Sequence, residues 1–222
     1  MPQLPPPMEI LAIIIVIFFA IGIHEYAHCK AADMAGDPTP RMYGRVTLDL
    51  TKHFEPLGTI MIILTSISGY GIGWGKPAPV NPSMMRNPRW DHFVSVAAGP
   101  LSNLIQAGIW AIILRVGMMV GPEVAPSNFL FILPFYGVMI NLSLFFFNLL
   151  PLPPLDGHWL LGLLLPEKPR IQWFQFCRSV GSGLFLIVVI GSQVAGNAFG
   201  YDPLGELIGK PLYTTAKFLL GI

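Results

Sequence analysis

Apolar residues in this chain fall in long blocks, separated by short stretches rich in proline, glycine and charge. Ile10 to Cys29 supplies about twenty residues, roughly 30 Å of helix, which is enough to cross a hydrocarbon core. Leu57 to Trp74 is a second apolar run, and its latter half carries Gly69, Gly71 and Gly73, with Gly75 just beyond. Phe93 to Met119 and Phe129 to Leu150 are two further blocks, joined by the link GPEVAPSN, and Trp173 to Val194 is a last one. The pattern changes at RVTLDL. There Val46, Leu48 and Leu50 alternate with Arg45, Thr47 and Asp49, the period of a half-buried strand. Beyond Asp202 the apolar positions are spaced with Lys210 and Lys217, which predicts a tail lying along the membrane interface. The expected fold is an all-α polytopic membrane protein of one domain, residues 1–222. It has about four transmembrane helices, at roughly 10–30, 93–119, 129–150 and 173–194. To these are added a re-entrant glycine-rich element at 57–75, a short membrane-associated β-strand or hairpin, and an interfacial tail at 203–222.

Composition agrees with a bilayer as the solvent. Hydrophobic residues make up 53% of the 222 and charged residues 11%, with a mean hydropathy of +0.62; a soluble domain carries about 25% charged residues. The net charge of +1 argues against a nucleic-acid partner. With only Cys29 and Cys177 present, a disulfide framework is not expected. Met1 to Met8 has no lysine or arginine, so the first apolar run does not read as an ordinary signal peptide.

One apolar run ends in chemistry. Ala20 to Ala32 reads AIGIHEYAHCKAA, with His24, Glu25 and His28 inside what should be a span. Histidines at i and i+4 share one helix face, so both can reach one metal ion. Glu25 is placed to take a proton from a water that the metal activates. Ionisable side chains within a span are costly and mark function by default. A catalytic zinc takes three protein ligands, and the best third candidate is Asp156 in NLLPLPPLDG. Pro151, Pro153 and Pro154 forbid a regular helix there, and unwound backbone at membrane depth lines a wet cavity or is buried in protein. The same stretch also reads as a proline-rich loop outside the membrane, with Asp156 capping the helix that follows.

Taken in order, HEYAH, GPLSN (Gly99 to Asn103) and NLLPLPPLDG (Asn148 to Gly157) resemble the site-2 protease family of intramembrane zinc metalloproteases. GRVTLDL, PLGTI and GWGKPAPVNP…RNPR resemble its compact prokaryotic members, so the likeness runs from about Ile10 to Leu165. It implies His24, His28 and Asp156 as ligands of one zinc ion per chain, and Glu25 as general base and acid. It also implies that Asn103 and Asn148 line the site and donate hydrogen bonds to the developing oxyanion. The implied activity is hydrolysis of peptide bonds in or near transmembrane segments of other proteins in the lipid bilayer. Larger relatives carry PDZ-like or CBS-like domains, which this chain lacks.

The ligand set constrains topology. His24 lies about 21 Å along the helix from Ile10, so the site is nearer the Lys30 end, and the Asp156 end of the fourth apolar block must face the same side. Lys30, Arg41, Arg45, Lys52, Lys76, Arg86, Arg89, Lys168 and Arg170 all fall on that side. The positive-inside rule makes it cytoplasmic, in what is expected to be a prokaryotic inner membrane.

Other readings are open at this stage. A metal-ion transporter would use His24, Glu25, His28 and Asp156 as a transit site, but the apolar blocks offer little beyond Gln106 and Asn141 as a path. A catalytically silent scaffold is the third reading. RVTLDL is either plain scaffold or an edge strand that pairs with an extended substrate. His53 and His92 read as interfacial, His158 as solvent-facing, and Cys29 as pointing away from the metal.

Overall fold

The computed structural model describes residues 5–68, 75–120 and 128–222, and the described residues form helices and turns with no β-strand. Helix α1 (Pro7–Met34) begins with proline in its first turn, where the missing N–H costs nothing. It ends at Gly36, whose φ of 105° lets the chain turn away. A short helix, α2 (Thr39–Met42), and a 3₁₀ turn (Leu50–His53) then lead into α3 (Pro56–Ser68). Helices α4 (Trp90–Val120) and α5 (Phe129–Asn148) complete the central trio with α1. After the prolines come α6 (Asp156–Leu164), α7 (Glu167–Val180), α8 (Gly183–Phe199) and α9 (Pro203–Leu220).

Three helices, α1, α4 and α5, are long and apolar enough to cross a membrane. A fourth crossing results if α7 and α8 count as one span broken by a 69° bend. Most residues of the three spans are not buried against protein, so their apolar side chains face outward, as lipid requires. Small residues bring the helices close. Ala107 and Ala111 of α4 meet Val138 and Leu142 of α5, and a side chain at Gly137 would overlap Trp110.

The structure bears on four expectations. RVTLDL forms no strand. Thr47 Oγ1 accepts from Asp49 N–H at 3.1 Å, and Asp49 Oδ1 accepts from Thr51 Oγ1 at 2.5 Å, so short polar side chains curl the backbone into turns. The alternation is lost too, with Arg45 buried and Leu48 exposed although Leu50 is buried. The block Trp173 to Val194 is not one straight span, because Gly181 (φ 53°) breaks it between α7 and α8. The tail forms α9, which buries Leu212 and Ala216 in the α4–α5 cluster. Arg115, projecting from α4, also donates to Leu219 O near the end of α9 at 3.4 Å. Of the glycine-rich element at 57–75, α3 accounts for the first part, while residues 69–74 lie outside the described residues.

Candidate metal centre

The two histidines on α1 are held at their Nδ1 atoms and converge at their Nε2 atoms. His28 Nδ1 lies 2.8 Å from Ser95 O, a carbonyl that can only accept, so Nδ1 carries the hydrogen. His24 Nδ1 lies 2.7 Å from Asn103 Oδ1. In neutral rings this leaves a lone pair on each Nε2. These atoms are 3.0 Å apart, and Asp156 Oδ2 stands 3.2 Å from His24 Nε2 and 3.4 Å from His28 Nε2.

Three lone-pair donors facing one another repel unless a cation sits among them. Asp156 Oδ2 is buried and accepts no hydrogen bond, which in an apolar interior is a cost that a metal removes. Two nitrogens and one carboxylate oxygen, all within 4.8 Å of one another, match the donor set of a zinc site with one position open. The alternative, in which both rings are protonated around one carboxylate, sets two imidazolium cations against each other. The residues fit zinc.

Local sequence explains the arrangement. Gly99 of GPLSN packs on the pair, and a Cβ there would overlap the His28 and His24 rings. Asp156 occupies the first turn of α6, directly after the proline-broken segment. At Gly157 a side chain would collide with the carbonyls of Leu149 and Leu150, so glycine lets the start of α6 fold back on the end of α5. Glu25 stands beside the ligands on α1, its face closed by Gly75. A Cβ at that glycine would lie 3.2 Å from Glu25 Oε1 and 2.7 Å from Ile21 Cγ2.

The two asparagines are held differently. Asn103 is fully buried, and its Nδ2 donates to Ala20 O at 3.1 Å and to Asn141 Oδ1 at 3.0 Å. Both hydrogens are engaged, and its carbonyl orients His24. Asn148 is half-buried and spends one amide hydrogen on Leu144 O at 3.0 Å, leaving the other.

His53, His92 and His158 are all buried against protein, so His158 is not solvent-facing. His53 Nε2 donates to Thr47 O at 3.1 Å and its Nδ1 lies 3.4 Å from Arg45 Nη2. Burial, assisted by that guanidinium, holds its pKa below the ordinary histidine value. The His92 ring packs on Trp159 with centroids 5.0 Å apart, and His158 Nδ1 donates to Leu155 O. Cys29 is buried as a free thiol and belongs to no metal-binding group among the described residues. Sequence reasoning gave Asn141 and Arg89 no role at the site, naming the first only as a polar residue on a possible path and the second only among the basic residues of one side. The signal for Asn141 was present, since it is an amide in the middle of an apolar block.

The sequence profile described as Peptidase family M50 matches residues 116–189. The chain is 37% identical over 207 residues to a Bacillus subtilis protein named "Putative zinc metalloprotease YwhC", covering 92% of this chain and 87% of that one. It is 26% identical over 189 residues to "Putative zinc metalloprotease Rip2" of Mycolicibacterium smegmatis, covering 82% of this chain and 67% of that one. No solved structure matches the chain.

Proposed function

The chain belongs to peptidase family M50, and from that premise we propose that it cuts peptide bonds in or near transmembrane segments of other membrane proteins, at the site formed by His24, Glu25, His28 and Asp156. The observation that carries this reading is the convergence of three ligand atoms on one point, beside a glutamate on a helix long and apolar enough to span lipid.

His24, His28 and Asp156 would hold one zinc ion. When bound, zinc polarises the peptide carbonyl and brings the pKa of a water down to about 7. Glu25 takes the proton of the attacking water and returns it to the leaving amine. Asn103 and Ser95 keep the histidine rings turned toward the metal. Asn148, with one amide hydrogen remaining, is the side chain better placed to donate to the developing oxyanion. The basic residues between Lys30 and Arg89 support a cytoplasmic orientation for the His28 end of α1, in a prokaryotic inner membrane.

The test is cleavage of a tagged single-span reporter by the wild type and by Glu25→Gln, with zinc content measured on both. The expected result is full zinc occupancy in both proteins and cleavage only by the wild type. Equal cleavage by the two would remove Glu25 from the mechanism, and sustained zinc flux across vesicles without cleavage would favour a carrier.

A further inference from the structure

His24 and His28 are held by partners of different kinds. His28 leans on a backbone carbonyl, which nothing can reorient. His24 leans on a side-chain amide, which could present either its oxygen or its nitrogen, and something must decide which. The decision lies two residues away. Asn141, on α5, is fully buried, and its Nδ2 donates to Gly137 O at 2.8 Å, one turn back on its own helix. A carbonyl only accepts, so the nitrogen of Asn141 is fixed there and its oxygen faces Asn103. Asn103 Nδ2 then donates to that oxygen at 3.0 Å, and its second hydrogen goes to Ala20 O at 3.1 Å, again an obligate acceptor. Flipping Asn103 would set its oxygen against two oxygens in a dry interior, where unmatched polar groups are expensive. Asn103 therefore shows its oxygen to His24 Nδ1, the ring keeps its hydrogen there, and the lone pair of Nε2 points at Asp156.

We propose that Asn141 is a positioning residue for metal binding: acting through Asn103, it fixes the tautomer and ring orientation of His24. This rests on the metal reading of the site given above. The relay joins three helices, with His24 and Ala20 on α1, Asn103 on α4, and Asn141 and Gly137 on α5. The metal-binding competence of α1 thus depends on the seating of α5. Packing alone does not require the amides, since an apolar pair would fill the same space at less cost in a membrane interior.

The experiment reads the tautomer directly, in metal-free protein labelled with ¹⁵N-histidine and reconstituted in bilayers. Imidazole nitrogen shifts distinguish a hydrogen on Nδ1 from one on Nε2, and the His24 signal is assigned by its loss in His24→Gln. Zinc affinity is measured alongside by chelator competition. In the wild type His24 carries its hydrogen on Nδ1. Asn141→Leu is expected to spread that signal over both tautomers and weaken zinc binding about ten- to a hundredfold. Asn141→Asp, neutral in so apolar a setting, can donate to Gly137 O and accept from Asn103, so it should restore both readouts. Leu142→Ala, a loss of packing at the neighbouring buried position, should change neither. If the leucine variant does not fold, Asn141→Thr, too short to reach Asn103, is read the same way. Wild-type tautomer and affinity in folded Asn141→Leu or Asn141→Thr would overturn the proposal, as would equal changes in Leu142→Ala. A relay-dependent tautomer in a chain that binds no zinc would overturn the protease reading and leave the relay standing.

Discussion

Arg89 and Asp156 hold opposite ends of one nine-residue helix. Arg89 Nε donates to Leu163 O at 2.8 Å and its Nη2 to Leu165 O at 2.9 Å, over the C-terminal carbonyls of α6, while Asp156 lies in the first turn. The guanidinium complements the negative end of the helix dipole. It also ties α6 to the segment leading into α4, whose Ser95, Gly99 and Asn103 set the histidines.

Replacing Arg89 with alanine is therefore expected to weaken zinc binding and thermal stability together. Hydrogen bonds from a charged donor are worth about 1.5–3 kcal/mol. Arg89→Lys should recover little, because one ammonium cannot span the carbonyls that a planar fork reaches. Chelator competition and thermal unfolding in detergent measure the two effects.

Gly99→Ala should abolish zinc binding, because the added methyl overlaps both ligand rings. Gly108→Ala, two turns further along the same helix, meets nothing within 4 Å and should leave zinc binding unchanged. Metal analysis of the two purified proteins separates steric loss at the site from a general intolerance of α4.

Removing zinc should lower stability as well as activity. Without the cation the Nε2 lone pairs and Asp156 Oδ2 face one another at 3.0–3.4 Å. Adding zinc back at about 100 times its dissociation constant should contribute roughly 2.7 kcal/mol by mass action. An unfolding temperature independent of zinc concentration would contradict this.

His53 should make the segment around the 3₁₀ turn sensitive to acid. Burial and Arg45 depress its folded pKa, so between that value and the unfolded value of about 6.5 the unfolded chain binds the extra proton. Stability from this group is present above about pH 6.5 and is lost as the pH falls through that window. His53→Gln should flatten this part of the curve, as read by unfolding at a series of pH values.

Much of this protein could be read from its sequence, for a physical reason. A bilayer demands long apolar segments whose backbones satisfy themselves, and that demand marks α1, α4 and α5 in composition alone. The i, i+4 spacing of His24 and His28 fixes their common face before any tertiary contact forms. The prolines ahead of Asp156 announce a break in the helix after the last apolar residues of that block.

Other features depend on contacts that the chain does not write locally. The alternation in RVTLDL resembles a strand, yet the turns of Thr47 and Asp49 and the pull of the Lys76 and Pro77 carbonyls on Arg45 outweigh it. The tail after Asp202 looks amphipathic, but where it packs depends on whether α4 offers small residues at matching height, which it does at Ala107 and Ala111. The sequence by itself determined the spans, the histidine pair and the glutamate beside it. Only the tertiary structure decided that Asn103 faces His24 with its oxygen, because the choice belongs to two backbone carbonyls, Ala20 O and Gly137 O, on helices far apart along the chain.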